Sequence, residues 1–553
     1  MSIGLESIYR SAAVLLLGIG GCAAVCTTAS ATPGPVPASV PGRDLVRAHC
    51  SGCHVEHDGG FERISALRKT PEGWLMTLAR MRQVHGLVLD DGVRDSIVRY
   101  LADTQGLAPA ESAAGRFALE RRPNAQDLDL GPEIGVMCGR CHSLARVSLQ
   151  RRDEDEWRKL AHTHLGQWPS LEYQASGRDR PWWQIASGPL PAKLAALYPY
   201  SSAAWSEWKA RPPLDLSGNW VVVGHVPGGN DFYGTARIER AHGGDRTGDG
   251  DRADGGERAD AGDYRAQYRL ADVTGVEFNG DSTAIVYTGY EWRGSAQVGD
   301  RSLREVYAVS EDGSRITGRW FDADHAEDGG EWTAVRDMGP AQILAVLPRS
   351  LRAGAATRVI LVGSGFDTVS RAPLSFGNGA AAADVQRGPS SIRVLVKVAA
   401  DAAPGERPVS VGGLSAKLAV YSVIDRIDVT PGYGIARIGG GRVPPVTAQF
   451  EALAWTRLPG GEWLNLGPVP AEWSSIPYDA EAKRTEDDKF AGHFDRRGRY
   501  LPNSAGPNPA REYSGDNVGN LTAVARVEDG KRTVEGRGHL IVTVQRWITP
   551  PIY

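Results

Sequence analysis

Two short runs carry the chemistry in this sequence: Cys50-Ser51-Gly52-Cys53-His54 and Cys138-Gly139-Arg140-Cys141-His142. Two thiols at this spacing can form thioethers with the vinyl groups of a porphyrin, and a histidine directly after them can reach the iron. Each run is therefore read as a c-type haem attachment site. The histidine supplies the specificity. A bare Cys-x-x-Cys is equally half a zinc site or a redox pair, but neither explains a His after both copies. A shared Cys/His zinc site stays open as the alternative, and it would have to draw the two motifs together. The expectation is two covalently bound haem c groups, one on Cys50, Cys53 and His54, the other on Cys138, Cys141 and His142.

The first motif needs a helix end to present it, and residues 42–49 (Gly-Arg-Asp-Leu-Val-Arg-Ala-His) have helical spacing of apolar positions, as in class I cytochromes c. Sixth ligands must come from further along, where an internal repeat helps. Trp74 is followed by Met81 and Trp157 by His164, each seven residues on and so on one helical face. Thr70-Pro71-Glu72 and Asp153-Glu154-Asp155-Glu156 precede the tryptophans as helix N-terminal signals. The expected axial pairs are His54/Met81 and His142/His164. Met76 or His85 compete at the first iron and His162 at the second, because methionine on an amphipathic helix is commonly core filler. Met137 is read as packing, and His49 and His57 as surface residues or propionate neighbours. Residues 90–101 read as a capped closing helix, and the Pro/Trp-rich passage 180–208 as packing against haem or an interface.

At 553 residues the chain is too long for one core. A formal charge of −4 argues against a nucleic-acid partner. The one long apolar run, residues 12–20, lies between Arg10 and Ala29-Ser30-Ala31, the pattern of a secretory signal, and is too short to span a bilayer. Acylation at Cys22 is the competing reading of that segment. If 1–31 leaves, the four remaining cysteines all sit in the two motifs. An exported chain without a disulfide pair fits the bacterial periplasm.

After Pro212-Pro213 the pattern changes to short alternating segments with turn signals. The fold class expected is multidomain: an N-terminal all-α dihaem cytochrome c domain followed by three all-β domains. The boundaries are 1–31 signal peptide, 32–212 dihaem domain, 213–338 antiparallel barrel or sandwich, 339–423 immunoglobulin-like sandwich and 424–553 C-terminal immunoglobulin-like domain. The Gly/Asp/Arg tract at 243–262 is read as a hairpin loop, with calcium binding as the competing reading. No nucleophile elbow, phosphate loop or HExxH occurs, and no catalytic residue is assigned.

The paired CxxCH, the Trp-to-ligand repeat and the order of a dihaem head before three β units resemble the alpha subunit of quinohaemoprotein amine dehydrogenase. The resemblance implies a heterotrimer with a propeller-type beta subunit and a small gamma subunit carrying cysteine tryptophylquinone. In that family the quinone oxidises primary amines, and electrons leave through the alpha haems to a soluble periplasmic acceptor, a copper protein or cytochrome c. Independently, a quinone joining cysteine to tryptophan needs a spare cysteine, which the mature chain lacks, so that cofactor is expected on a partner. Methionine ligation raises a haem's potential, so entry is expected at the Cys138/Cys141 haem and exit at the Cys50/Cys53 haem. Two other classes stay open: a stand-alone dihaem electron carrier with β binding modules, and a peroxidase-type dihaem enzyme needing an open iron position.

Overall fold

The computed structural model describes residues 42–117, 128–139, 142–168, 180–241, 263–338, 340–440 and 443–544. The leader and the 243–262 tract, on which two of the expectations fall, lie outside the described residues, as does Cys141.

Helix α1 (Gly42–Cys50) buries Leu45 and Val46 and ends on the first motif. Its last turn continues into the motif, with the Cys53 and His54 amides donating to Cys50 O. A two-residue hairpin follows, β1 (Glu56–His57) against β2 (Gly60–Phe61), and then β3 (Arg68–Lys69). Helix α2 (Pro71–His85) starts where the Gly73 amide donates to Thr70 Oγ1 at 3.2 Å, and stops at Gly86, whose φ of +72° suits a residue without Cβ. Helix α3 (Asp91–Gln105) is capped by Asp90 and buries Val93, Ile97, Val98 and Leu101. It packs on both α1 and α2. At the α1–α3 crossing a Cβ on Gly42 would stand 2.3 Å from the Cβ of Tyr100, so the helices meet this closely only through glycine.

The second motif follows α4 (Pro109–Ser112) and α5 (Gly131–Cys138). Beyond it come α6 (Ala145–Ser148), β4 (Gln150–Arg151) and α7 (Glu154–Gln167), the last capped by Asp153 through the Glu156 amide at 2.7 Å. Three further helices, α8 (Trp182–Ser187), α9 (Pro189–Leu197) and α10 (Ala203–Ala210), complete this part. The expectation of an all-α N-terminal domain is corrected here. The segment is only partly helical, and β3 pairs with β4 across 83 residues of chain, Arg68 opposite Arg151. Both N-cap residues, Thr70 and Asp153, have extended backbone, so the chain enters each helix straight from a strand.

Eight antiparallel strands then form a closed barrel: β5 (Gly218–His225), β6 (Asp231–Arg240), β7 (Tyr264–Asp272), β8 (Glu277–Tyr287), β9 (Glu291–Val298), β10 (Arg301–Val309), β11 (Arg315–Asp322) and β12 (Gly329–Arg336). Closure comes from β12 pairing with β5, Arg336 opposite Trp220. Trp220, Tyr264, Tyr268, Tyr290, Trp292, Tyr307 and Trp332 fill the interior, as expected of a barrel of this size. Glu305 is buried among them and accepts from Tyr268 Oη and Ser282 Oγ at 2.6 Å and Trp292 Nε1 at 2.9 Å. Burial pushes its carboxyl up from the ordinary value.

The next unit packs two four-stranded sheets. One holds Gln342–Leu347, Ala356–Ser364, Ser391–Val398 and Ala380–Arg387, the other Ser350–Arg352, Leu414–Tyr421, Gly405–Val411 and Leu374–Ser375. Val359, Leu361, Phe366, Phe376 and Val396 lie between them. The C-terminal part is not all-β either. Short helices at Ala480–Arg484 and Asp487–Phe490 interrupt its strands, and Tyr433–Arg437 runs parallel to Arg532–Thr543.

Polar contacts tie the motif-bearing helices to the barrel. Arg99 holds Asp263 through two bonds of 2.8 and 2.9 Å, and Arg293 on β9 holds Glu72 at 2.6 Å beside the buried Glu291. Ser112 meets Tyr290 at 2.8 Å.

Candidate haem sites

At the first motif Cys50 is half-buried and Cys53 exposed, and neither is in a disulfide. Burial, then the neighbouring Cys53, pushes the Cys50 thiol up. His54 Nδ1–H donates to Glu62 O at 3.1 Å, which fixes the ring and leaves Nε2 available to a metal. The second motif repeats the device: His142 Nδ1 lies 2.9 Å from Ser143 O. Cys138, also free, is pushed up to about 11 by burial. Met137 packs into a cluster with Ile134, Leu144, Trp157 and Trp182. His49 is half-buried, and His57 is exposed beside Asp58.

From the helix caps onward the two halves correspond at an offset of 83 residues, while the attachment motifs stand 88 residues apart. Thr70 and Asp153 cap equivalent helices, Trp74 and Trp157 are both buried beneath them, and Met81 and His164 occupy the same place in α2 and α7. Since Arg68 and Arg151 are themselves equivalent and lie opposite each other in the β3–β4 pair, that pair stands at the local symmetry axis. One carboxylate serves both arginines: Glu111 accepts from Arg68 at 2.7 and 2.8 Å and from Arg151 at 3.2 Å. Burial opposes the charge on Glu111, but the Arg68 bonds, the Ala108 amide and Arg151 outweigh it and hold the carboxyl at about 2.

The His142 and His164 rings lie with centroids 6.3 Å apart and planes tilted at 44°. Two imidazoles bound through Nε2 on opposite sides of one metal, each at about 2 Å, have ring centres about 6 Å apart. The pair therefore fits an iron between them. His164 is set for this, with Nδ1 2.8 Å from Leu160 O. Burial chiefly, and Arg80 and Arg152 after the opposing Leu160 carbonyl, push its imidazolium down, which favours the neutral ring a metal requires. The competitor His162 lies edge-on to Trp183, centroids 4.6 Å apart. On α2, Met76 and Met81 are half-buried and His85 is exposed at the helix end.

Apolar side chains beside these residues are left open to solvent: Val55 after His54, Val84 and Val88 beyond Met81, and Trp168 one turn beyond His164. Free thiols, histidines with Nδ1 already engaged, and exposed apolar walls suit a flat, largely apolar macrocycle. Lys69, Arg80 and Arg152 were not singled out from the sequence as part of the site. The signal was present, since Arg68-Lys69 and Arg151-Arg152 precede the two caps at the same spacing as the tryptophans.

Comparison with known proteins gives the N-terminal segment a haem-binding family. A family model described as quinohemoprotein amine dehydrogenase A, alpha subunit, haem binding, matches residues 40–205. Models of alpha-subunit domains II, III and IV of the same enzyme match residues 213–337, 340–422 and 427–552. No curated protein matches the sequence. The solved structures that match include three similar to parts of the chain. A redesigned β-barrel, mFAP1 bound to DFHBI, is 14% identical, with 22% of this chain and 91% of that one covered and a TM-score of 0.16. The tandem Ig repeats of Dlar are 14% identical, covering 38% and 97%, with a TM-score of 0.12. The SGBP-B protein of Bacteroides ovatus, in complex with a mixed-linkage heptasaccharide, is 12% identical, covering 59% and 60%, with a TM-score of 0.17. With four models of one enzyme's alpha subunit matching in succession from residue 40 to residue 552, the chain belongs to the quinohemoprotein amine dehydrogenase alpha-subunit family.

Proposed function

We propose that this chain is the electron-transfer subunit of a periplasmic amine dehydrogenase complex, taking electrons from a quinone on a partner subunit and passing them to a soluble acceptor. Bound haem c would supply one-electron redox chemistry at two places along the chain. Cys50, Cys53, His54 and Met81 would hold one group, and Cys138, Cys141, His142 and His164 the other. The observation that carries the reading is the 6.3 Å spacing of the His142 and His164 rings beside the second attachment motif. A pair of imidazoles at that separation offers iron two ligands, leaves no substrate position there, and favours electron transfer over peroxidase chemistry.

The chain's own residues do the positioning. The Glu62 and Ser143 carbonyls orient the motif histidines, and the β3–β4 pair holds α2 and α7 in a common frame. All four cysteines beyond residue 26 belong to the motifs, which supports placing cysteine tryptophylquinone on a small gamma subunit beside a propeller-type beta subunit. No helix among the described residues is long and apolar enough to cross a membrane. Export through a signal at residues 1–31 supplies the compartment where haem c is attached. Purification from the native host is the test. Co-elution of two further chains, one quinone-positive, with haem reduction on adding a primary amine, is expected. A chain that purifies alone and stays oxidised with amine would overturn the assignment.

A further inference from the structure

Between α2 and α7 the described residues collect positive charge that the carboxylates among them do not match. Lys69 is 6% exposed and Arg152 2%, and Arg80 and Arg63 stand near enough to depress both. Lys69 Nζ donates to Thr77 Oγ1 at 2.6 Å, and Arg152 Nε to Gln150 Oε1 at 2.9 Å. Each also lies over its tryptophan, Lys69 at 5.3 Å from Trp74 and Arg152 at 5.7 Å from Trp157. These partners are neutral. Among the described residues the buried carboxylate beside them is Glu156, 3% exposed, with Asp153 exposed nearby, and Lys159 already holds the Glu156 Oε1 at 2.9 Å. Its other oxygen makes no hydrogen bond, with Arg63 at 3.5 Å and Arg152 at 3.7 Å.

Burying several cations around one carboxylate is costly unless further anions join them. The cluster lies beside the second candidate iron site, because the Trp157 ring under Arg152 packs with Met137 and with Cys138 of the second attachment motif. Arg80 also directly precedes Met81 in α2.

We propose that the cationic cluster of the buried Lys69 and Arg152 and the half-buried Arg80, with Arg63 at its rim, receives the propionate carboxylates of the haem held by His142 and His164. This rests on the haem reading above. The cluster neutralises the propionates, and its remaining positive charge favours the reduced iron, so it raises that haem's potential. Lys69 and Arg152 are positioning and tuning residues, since they touch neither iron nor substrate.

The test is potentiometric titration of the full-length two-haem protein carrying Lys69→Met, Arg152→Gln, both together, or Arg152→Lys. Each neutral variant should shift one of the two potentials negative, the double variant should shift it further, and Arg152→Lys should restore most of the Arg152→Gln loss. The propionate ionisation seen in that potential's pH dependence should move upward in the neutral variants. Potentials and pH profiles that stay put with two haems present would overturn the propionate assignment and leave the haem reading standing. A potential that responds only to added phosphate would assign the cluster to a free anion and overturn it equally. If the neutral variants fail to fold, resonance Raman of the charge-keeping Arg152→Lys still decides: a shifted propionate bending mode supports the assignment, and a mode at the wild-type frequency overturns it. A wild-type chain that takes up no haem would instead sink the reading on which this rests.

Discussion

His225 should make the hold between the barrel and the C-terminal sheets depend on pH. Its Nδ1 lies 2.7 Å from Asp231 on β6, and its Nε2 lies 2.6 Å from Glu451 in the C-terminal part. Glu451 also accepts the Gly228 amide at 2.9 Å. Burial works against a charged ring, but the two carboxylates outweigh it and raise the imidazole from 6.5 to about 9. The folded value lies above the unfolded one, so the stabilisation is fully present below pH 6.5 and is lost as pH rises through 9. At about 1.4 kcal/mol per unit, the shift corresponds to about 3 kcal/mol between those limits. Urea unfolding followed by tryptophan fluorescence from pH 6 to pH 10 reads this directly. Wild type should lose stability across the alkaline limb, and His225→Gln should start lower by up to about 3 kcal/mol and show a flatter limb, the two converging near pH 10. Parallel limbs for the two proteins, or a wild type that gains stability above pH 7, would refute the reasoning.

Three further outcomes follow from other sites. Glu111→Gln leaves Arg68 and Arg151 buried without their shared carboxylate and should cost about 3–5 kcal/mol in chemical denaturation, with loss of helical signal before the β signal. Gly42→Ala forces a methyl against Tyr100 at the α1–α3 crossing and should cost about 1–3 kcal/mol, read as a lower midpoint for the helical transition. Met81→His should lower the higher of the two reduction potentials while leaving the other in place, and an unmoved higher potential would remove Met81 from the iron.

The attachment motifs were legible because their chemistry is local: five adjacent residues carry all of it. The repeat could be read as well, since Trp74 and Trp157, their caps and the residues seven further on all lie within single helices. What escaped was pairing between distant segments. Two-residue strands such as β3 and β4 have no periodicity to detect, and so a mixed segment read as all-α. Barrel and sandwich stayed equal alternatives because closure depends on β12 finding β5, which no local pattern encodes. The helices at Ala480–Arg484 and Asp487–Phe490 are too short to build an apolar stripe. The basic pairs before each cap could be seen, but whether a Lys or Arg is buried depends on what packs against it, and for Lys69 and Arg152 that includes the ring of the tryptophan one turn into each helix.

The central claim is that His142 and His164 share one iron in a chain carrying two haems. Low-temperature EPR of the fully oxidised full-length protein, beside His164→Ala, tests it most directly. The parent protein should show two low-spin ferric signals, with one converted to high spin and the other unchanged in the variant. A variant spectrum identical to the parent, or a parent with one haem per chain, would contradict it.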